Sequence, residues 1–311
     1  MYNPTKPYKK KIFELIKKTW RTPYVSVEKS VYPIIKRKSN YIDVDHTDGI
    51  GSKGVYHWQK RSFKNAVLDV LAMNLNDLAL MRAIPYKMQN HIILPEDDHQ
   101  AILKIVREMS KECIKRKIAM TGGETSIHNN MDGMDIGMTI SGIIKNAKPN
   151  QIKAGDIIIG LKSNGLHSNG FTKVRELFGK KILADFTKPT RIYLDEILSI
   201  NKNVNIHGMM HITGGAFSKL KDISSGVDVI IDQINLVPVP KIFKTIYQKM
   251  PNDDEMYCTF NCGIGFVLSV SKKDVRRTLA ELSDASVIGY AKKGTSKVII
   301  KSSFSQNLIE L

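Results

Sequence analysis

Apolar residues along this chain follow two patterns. Ile157-Ile158-Ile159-Gly160-Leu161 is a continuous apolar run preceded by Ala154-Gly155-Asp156, which predicts a buried strand bounded by turn residues. Phe171 to Phe178 spaces its apolar residues as a helix does and stops at Gly179. Val67 to Leu80 is a run of strong helix formers and Ala101 to Arg116 reads as a second long helix, while Tyr41 to Asp45, Lys117 to Met120 and Phe266 to Val270 read as strands. Strands and helices alternate in this way from Tyr41 to Ile144. The polar stretch Lys145 to Gln151 then reads as a linker, after which the pattern restarts. The expectation is a mixed α/β (α+β) chain with domains at 41–148 and 149–311. Residues 1–40 are basic, hold Pro4, Pro7, Pro23 and Pro33, and contain one amphipathic segment, Lys11 to Trp20. They read as an arm carrying a short helix, outside the core.

The 311 residues suffice for two domains with a substantial core in each. No apolar run approaches the ~20 residues of a membrane span and the N-terminus lacks a signal-peptide layout, so a cytoplasmic location is expected. The formal charge of +17 raises the question of a nucleic-acid partner. The lysines are spread, however, with only local clusters such as Lys9-Lys10-Lys11 and Lys36-Arg37-Lys38, and are not interleaved with aromatics. Anionic small substrates fit this charge better than nucleic acid. Cys113, Cys258 and Cys262 lack the paired spacing of a zinc site and read as reduced thiols.

Candidate chemistry gathers at glycine-rich polar punctuation. In the first domain, Thr47-Asp48-Gly49-Ile50-Gly51-Ser52-Lys53 puts a carboxylate beside two glycines and a lysine. Such a loop can hold magnesium on Asp48, cradle phosphate on the Gly49 and Gly51 backbone, and neutralise it with Lys53. It is not a Walker A loop. Asp69, Met73, Asn76 and Asp77 share one stripe of an otherwise apolar helix, and a buried carboxylate needs a partner. Asp69 and Asp77 would lie ~12 Å apart along the axis, so one ion cannot take both. Two ions, a role behind the metal for one of them, or a solvent-facing side chain remain open. Gly122-Gly123-Glu124-Thr125 again pairs close backbone approach with a carboxylate. Three such sites, each expected at an element end, suggest a magnesium-nucleotide cleft. In the second domain, Gly165-Leu166-His167-Ser168-Asn169-Gly170, His211-Ile212-Thr213-Gly214-Gly215 and Asn261 with Gly263 offer donors without carboxylates, which suits a substrate phosphate.

Taken in order, these segments resemble aminoimidazole ribonucleotide synthetases, the phosphoribosylformylglycinamidine cyclo-ligases. The resemblance also takes in Pro189-Thr190-Arg191-Ile192-Tyr193 and Met256 to Gly265, and runs from about Thr47 to Gly289. It implies the two-domain fold of that family, with N-terminal domains pairing through their sheets in a homodimer. It implies use of ATP and Mg2+ to phosphorylate the formyl oxygen of formylglycinamidine ribonucleotide, giving aminoimidazole ribonucleotide, ADP and phosphate. Asp48, Asp77 and Glu124 would then hold metal, and Gly49, Gly51, Lys53, Asn76, Gly122, Gly123, Glu124 and Thr125 the nucleotide. His167, Ser168, Asn169, Gly170, Thr213, Gly214, Gly215 and Asn261 would hold the phosphorylated ribonucleotide. His167 is the candidate for proton transfer or substrate orientation, beside Asp48, Asp77 and Lys53 as catalytic candidates.

Two departures stand out. The tyrosine- and glycine-containing N-terminal segment of the family is not evident in residues 1–40, and Ser126 to Gly133 replaces the usual proline-glycine-tyrosine continuation. Both bear on how the nucleotide is enclosed. The alternatives are another ATP-using superfamily member, such as a thiamine-phosphate kinase-like enzyme, and an inactive nucleotide-binding regulatory dimer.

Overall fold

The structure, a computed structural model, describes residues 9–28, 34–38 and 42–311. Two compact units emerge, one holding the chain to Ala79 and from Ala83 to Asn146, the other Leu80–Arg82 and Ala147–Leu311. Among the described residues no helix is long and apolar enough to cross a membrane.

The first unit contains α1 (Lys9–Lys17), the hairpin strands β1 (Val25–Glu28) and β2 (Ile34–Arg37), β3 (Ile42–Gly49), α2 (Gly54–Lys60), α3 (Phe63–Leu80), β4 (Ile84–Leu94), α4 (His99–Arg116), β5 (Ala119–Ile127) and β6 (Asp135–Ile144). The sheet runs β3-β6-β4-β5, antiparallel except for the β4/β5 pair. Residues of α3 are buried nearly all round, including Val67, Val70, Leu71, Leu75 and Leu78, which is why its apolar pattern is continuous. In α4 the Asp98 carboxylate accepts the Ala101 N–H at the start, and Lys117 closes the end in the left-handed region.

Two segments differ from the sequence expectation. Glycine-rich stretches expected at element ends are strand interior: β3 pairs with β6 as far as Gly49, and β5 runs through Gly122 and Gly123 to Ile127, with its register shifting near Thr121. Pairing to a neighbouring strand overrides the weak strand preference of glycine. The described part of the supposed arm is packed. Trp20, Val25 and Val27 form a core cluster with Tyr86, Ala119 and Ile143. Trp20 also donates its indole N–H to the Met120 carbonyl, and Ser110 Oγ donates to the Leu15 carbonyl.

The second unit contains β7 (Ile157–Lys162), α5 (Phe171–Phe178), α6 (Leu194–Ile200), β8 (Ile206–His211), β9 (Val227–Ile231), α7 (Lys241–Lys249), α8 (Asp253–Thr259), β10 (Ile264–Val270), α9 (Val275–Glu281), β11 (Ala285–Lys293), β12 (Val298–Lys301) and β13 (Leu308–Glu310). Its sheet order is β13-β12-β9-β11-β7-β10-β8, and every residue of β10 is buried. The neighbours β7 and β8 both run antiparallel to β10. The loops after β7 and β8 and the loop before β10 therefore meet at one end of the sheet.

Trp20→Ala should destabilise the protein by about 3–5 kcal/mol through the cavity left in this cluster. Trp20→Phe, which keeps most of the packing and loses the bond to Met120, should cost less. Urea unfolding reads both, and a midpoint unmoved by Trp20→Ala would restore the description of this segment as a loose arm.

Candidate functional site

The register of the first unit sorts its polar residues onto two faces. Thr47, Thr139 and Gln89 lie level across β3, β6 and β4, as do Gly49, Gly137 and His91, with Glu124 beside His91 on β5. Hydrogen bonds between Thr47 and Thr139 and between His91 and Ser126 confirm that these side chains share one face. His46 and Asp48 alternate to the other face, where α3 packs. There His46 Nδ1 meets Asn74 Oδ1 at 3.1 Å, and His46 Nε2 lies 3.2 Å from Asp77 Oδ2. Asn74 also donates to the carbonyls of Asp48 and Val70. The hydrogen bond to Asp77 outweighs burial and raises the His46 pKa, with the charges of Asp77 and Asp48 adding to it.

Asp48 and Asp77 thus face one side of the sheet, while Glu124 projects from the opposite side and three strands away. The strand spacing of ~4.8 Å makes that ~14 Å laterally. Asp48, Asp77 and Glu124 of one copy cannot share an ion, and among the described residues no group of three or more His, Cys, Asp or Glu side chains is arranged to hold a metal. Asp48 and Asp77 are the two candidate metal carboxylates on the α3 face, Asp48 Oδ1 accepting the Gly49 N–H and Asp77 Oδ2 lying beside His46, and Mg2+ typically takes only one or two carboxylates. Glu124 is exposed, and its Oε1 accepts the Thr125 N–H. A Cβ at Gly123 would meet the end of the Asn90 side chain, which would have to move aside.

Lys53 is placed differently from its sequence reading. Its ammonium is fully buried and lies 2.9 and 2.8 Å from the two oxygens of Asp69, itself fully buried. His57 Nε2 meets the same carboxylate at 2.7 Å, and His57 Nδ1 meets Ser62 Oγ at 2.8 Å. Burial alone would push the Asp69 carboxyl up, but the Lys53 charge and the His57 hydrogen bond hold it at about 2. Lys53 is thus held by Asp69 in the segment after β3, and the Gly49 N–H donates to Asp48 Oδ1 at 2.7 Å, so neither is open in this arrangement. Of the open possibilities for Asp69, none that exposes it to metal or solvent survives. Asn76 is buried on the same helix.

In the second unit the loop after β7 is held from within. Asn261 donates to the carbonyls of Gly165 and Leu166 and accepts from Ser163 Oγ and the Gly263 N–H. His167, 1% exposed and in the left-handed region at φ 63, accepts the Asn164 N–H on Nε2 at 3.1 Å. Its ring and the Tyr193 hydroxyl lie so close to Gly265 that a Cβ there would collide with both. Gly170, at φ 72, is likewise pressed against the Phe260 ring. Ser168 Oγ bonds to Thr190 Oγ1, and Lys219 Nζ donates to Thr213 Oγ1. Asn169 Oδ1 faces Gly214 in the neighbouring loop. Asn169 Nδ2, by contrast, is buried with no hydrogen-bond partner among the described residues. The structure therefore gathers His167, Ser168, Asn169, Gly170, Thr213, Gly214, Gly215 and Asn261 at one end of the sheet. Asn261 and His167 act there as struts, and Asn169 keeps a donor in reserve. Sequence reading gave no role to His46, Asn74 or His57, and the i, i+3 spacing of Asn74 and Asp77 on one helix was the available signal for Asn74.

Lys53→Met should cost about 3–5 kcal/mol, because it strands the buried Asp69 carboxylate, and Lys53→Met/Asp69→Leu should recover most of that loss. The folded-state pKa of Asp69 is depressed to about 2. Its stabilising contribution is therefore complete above the unfolded value of ~3.9 and is lost as pH falls toward 2. Urea midpoints of wild type should fall more steeply between pH ~4 and ~2.5 than those of the double variant. Parallel curves would show the pair to be uncoupled from folding.

Comparison with known proteins gives the family. The chain matches the family described as AIR synthase related protein, with the N-terminal domain over residues 32–144 and the C-terminal domain over residues 153–301. It is 36% identical over 282 residues to a phosphoribosylformylglycinamidine cyclo-ligase of Clostridium perfringens, covering 83% of this chain and 84% of that one. To the enzyme of the same name from Pyrococcus furiosus it is 33% identical over 260 residues, covering 78% and 76%. Among solved structures, hydrogenase maturation protein HypE in complex with ATP superposes with a TM-score of 0.71 at 16% identity, covering 97% of this chain and 93% of that one. A thiamine-monophosphate kinase from Stenotrophomonas maltophilia gives 0.63 at 19% identity, covering 93% and 94%. These last two share the fold, while the sequence relationship decides the family: the chain belongs to the AIR synthase related proteins, alongside the phosphoribosylformylglycinamidine cyclo-ligases.

Proposed function

We propose that this protein is an ATP-dependent cyclo-ligase that converts formylglycinamidine ribonucleotide to aminoimidazole ribonucleotide, ADP and phosphate. The γ-phosphoryl group passes to the formyl oxygen of the substrate, with ADP leaving. An internal nitrogen of the substrate then attacks the same carbon, and the C–O bond breaks to release phosphate. An amide oxygen is a poor leaving group and a phosphorylated one a good leaving group, so the protein's task is positioning and charge neutralisation. The Asp48 and Asp77 carboxylates would hold the Mg2+ of the nucleotide, which supplies charge neutralisation at the transferring group. The backbone at Gly51, in the left-handed region with open space beside it, would approach the phosphates.

The observation that carries the substrate assignment is the buried, unpartnered Asn169 Nδ2. A buried donor left without an acceptor is costly, and a ligand oxygen satisfies it. His167 serves as a positioning residue, since its Nε2 is taken by the Asn164 N–H. The homodimer belongs to the same reading. Strands β3 and β5 are the edges of the first unit's sheet, and pairing edges between two copies would satisfy them. The alternative of an inactive regulatory dimer keeps nucleotide binding and loses turnover.

Phosphate release is expected only when ATP, Mg2+ and formylglycinamidine ribonucleotide are all present. Asp77→Ala should lower it about 100-fold or more, and Asn169→Ala should mainly raise KM for the ribonucleotide. ATP binding without release under any of these conditions would favour the regulatory dimer.

A further inference from the structure

A cavity on the second unit lies at the end of β8 away from the site loops. Strand β8 runs from Ile206 to His211, where it enters the loop of Thr213, Gly214 and Gly215. At its opposite end, Asn205, Ile206 and His207 face the segment that includes Lys148, Gln151 and Lys153 across a cavity of about 340 Å³. Six residues of strand separate the two places by ~17–20 Å.

The cavity walls are fixed by hydrogen bonds. Asn150 both donates to the Met209 carbonyl and accepts the Met209 N–H, at 3.0 and 2.7 Å, and the Gln151 N–H donates to the His207 carbonyl at 2.9 Å. Lys148, Lys153 and His207 line the cavity, and among the described lining residues there is no Asp or Glu. The carboxylate of Asp156, beside His207, is buried. It accepts from His207 Nδ1, Ser269 Oγ and the Lys153 N–H.

Arg82 adds a further positive charge to those of Lys148 and Lys153. It is 6% exposed and reaches the carbonyls of Ile206 and Lys148, at 2.9 and 3.4 Å, and Asn201 Oδ1 at 3.2 Å. Two of these acceptors belong to cavity-lining residues. Neutral oxygens satisfy its N–H groups without cancelling its charge, and among the described residues no carboxylate pairs with it. Burial accordingly pulls its pKa below the ordinary arginine value with nothing opposing. A buried, uncompensated cation beneath a basic cavity is an unfavourable arrangement that an anion relieves.

We propose that this cavity binds the phosphate group of a small metabolite, independently of the cyclo-ligase site. Lys148 and Lys153 supply charge-assisted hydrogen bonds, His207 is held in orientation by Asp156, and Arg82 contributes its field from behind the wall. The volume falls at the lower end of the range for small-molecule sites, so a phosphomonoester or a free inorganic phosphate fits better than a macromolecule.

The test is lysine footprinting on the full chain by mild acylation, with pyrophosphate and AMP as separate probes. Lys148 and Lys153 should be protected by at least one probe in wild type and in Asn169→Ala, the variant that impairs the other site. The probe with the lower protecting concentration tells whether the preferred phosphate is free or esterified. In Lys148→Ala/Lys153→Ala, His207 NMR shifts should report binding weakened about tenfold or more, while ribonucleotide-dependent phosphate release stays within about twofold of wild type. Equal lysine reactivity with and without both probes at millimolar concentration would overturn the proposal, as would protection that disappears in Asn169→Ala. Neither result bears on phosphate release, so this proposal and the cyclo-ligase reading can fail separately.

Discussion

The strict alternation of side chains along β3, β6, β4 and β5 governs what the first unit can do. Because the period is two, the pairing of Asp48 with Met138 and of Gly49 with Gly137 decides at once which carboxylates face α3 and which face away. His46, Asn74 and Asp77 join Asp48 on one side, and Thr47, Thr139, His91 and Glu124 occupy the other. A slip of one residue would exchange the two sets. The acidic pair suited to a nucleotide-bound cation thus depends less on the glycine-rich motif around it than on long-range backbone pairing.

The polar side chains that look most reactive are largely spent on holding the fold. Lys53, Asp69 and His57 form one buried network between the segment after β3 and the helix that carries Asp77. Asn261 uses both ends of its amide on the loop after β7, and His167 accepts from the same loop. Such interactions fix the backbone on which ligand contacts depend, and a loop already ordered loses less freedom when substrate binds. The division between struts and ligand-facing groups runs within a motif, as Asn169 and His167 illustrate two residues apart.

Legibility in the sequence followed the range of the interactions. The α3 and α4 helices and the strand β7 were readable because their apolar spacing is local. The loops after β7 and β8 and before β10 were legible as loops, since glycine, serine and asparagine clusters mark them. The extensions of β3 to Gly49 and of β5 through Gly122 and Gly123 were not, because backbone pairing with β6 and β4 overrides local glycine preference. The packing of Trp20 against Tyr86 and Ile143 joins parts of the chain too far apart for local pattern to reveal. The fate of the Lys53 ammonium belongs to the same class. A lysine beside two glycines reads as a phosphate ligand until Asp69, on a different helix, is seen to claim it.

The burial of Lys53 has a consequence for how a triphosphate could be neutralised here. With that ammonium held by Asp69, neutralisation of a nucleotide on the proposed reading would fall to the cation that Asp48 and Asp77 would hold and to the main chain near Gly51. The first unit would then act on phosphate through a metal and main-chain dipoles, groups whose placement follows from the β3 register and the α3 helix. The second unit offers hydroxyls, amides and one unpartnered Asn169 donor at the ends of β7 and β8. Charge handling and substrate recognition thereby rest on different kinds of group, one set by long-range strand pairing and the other by hydrogen bonds closed within loops.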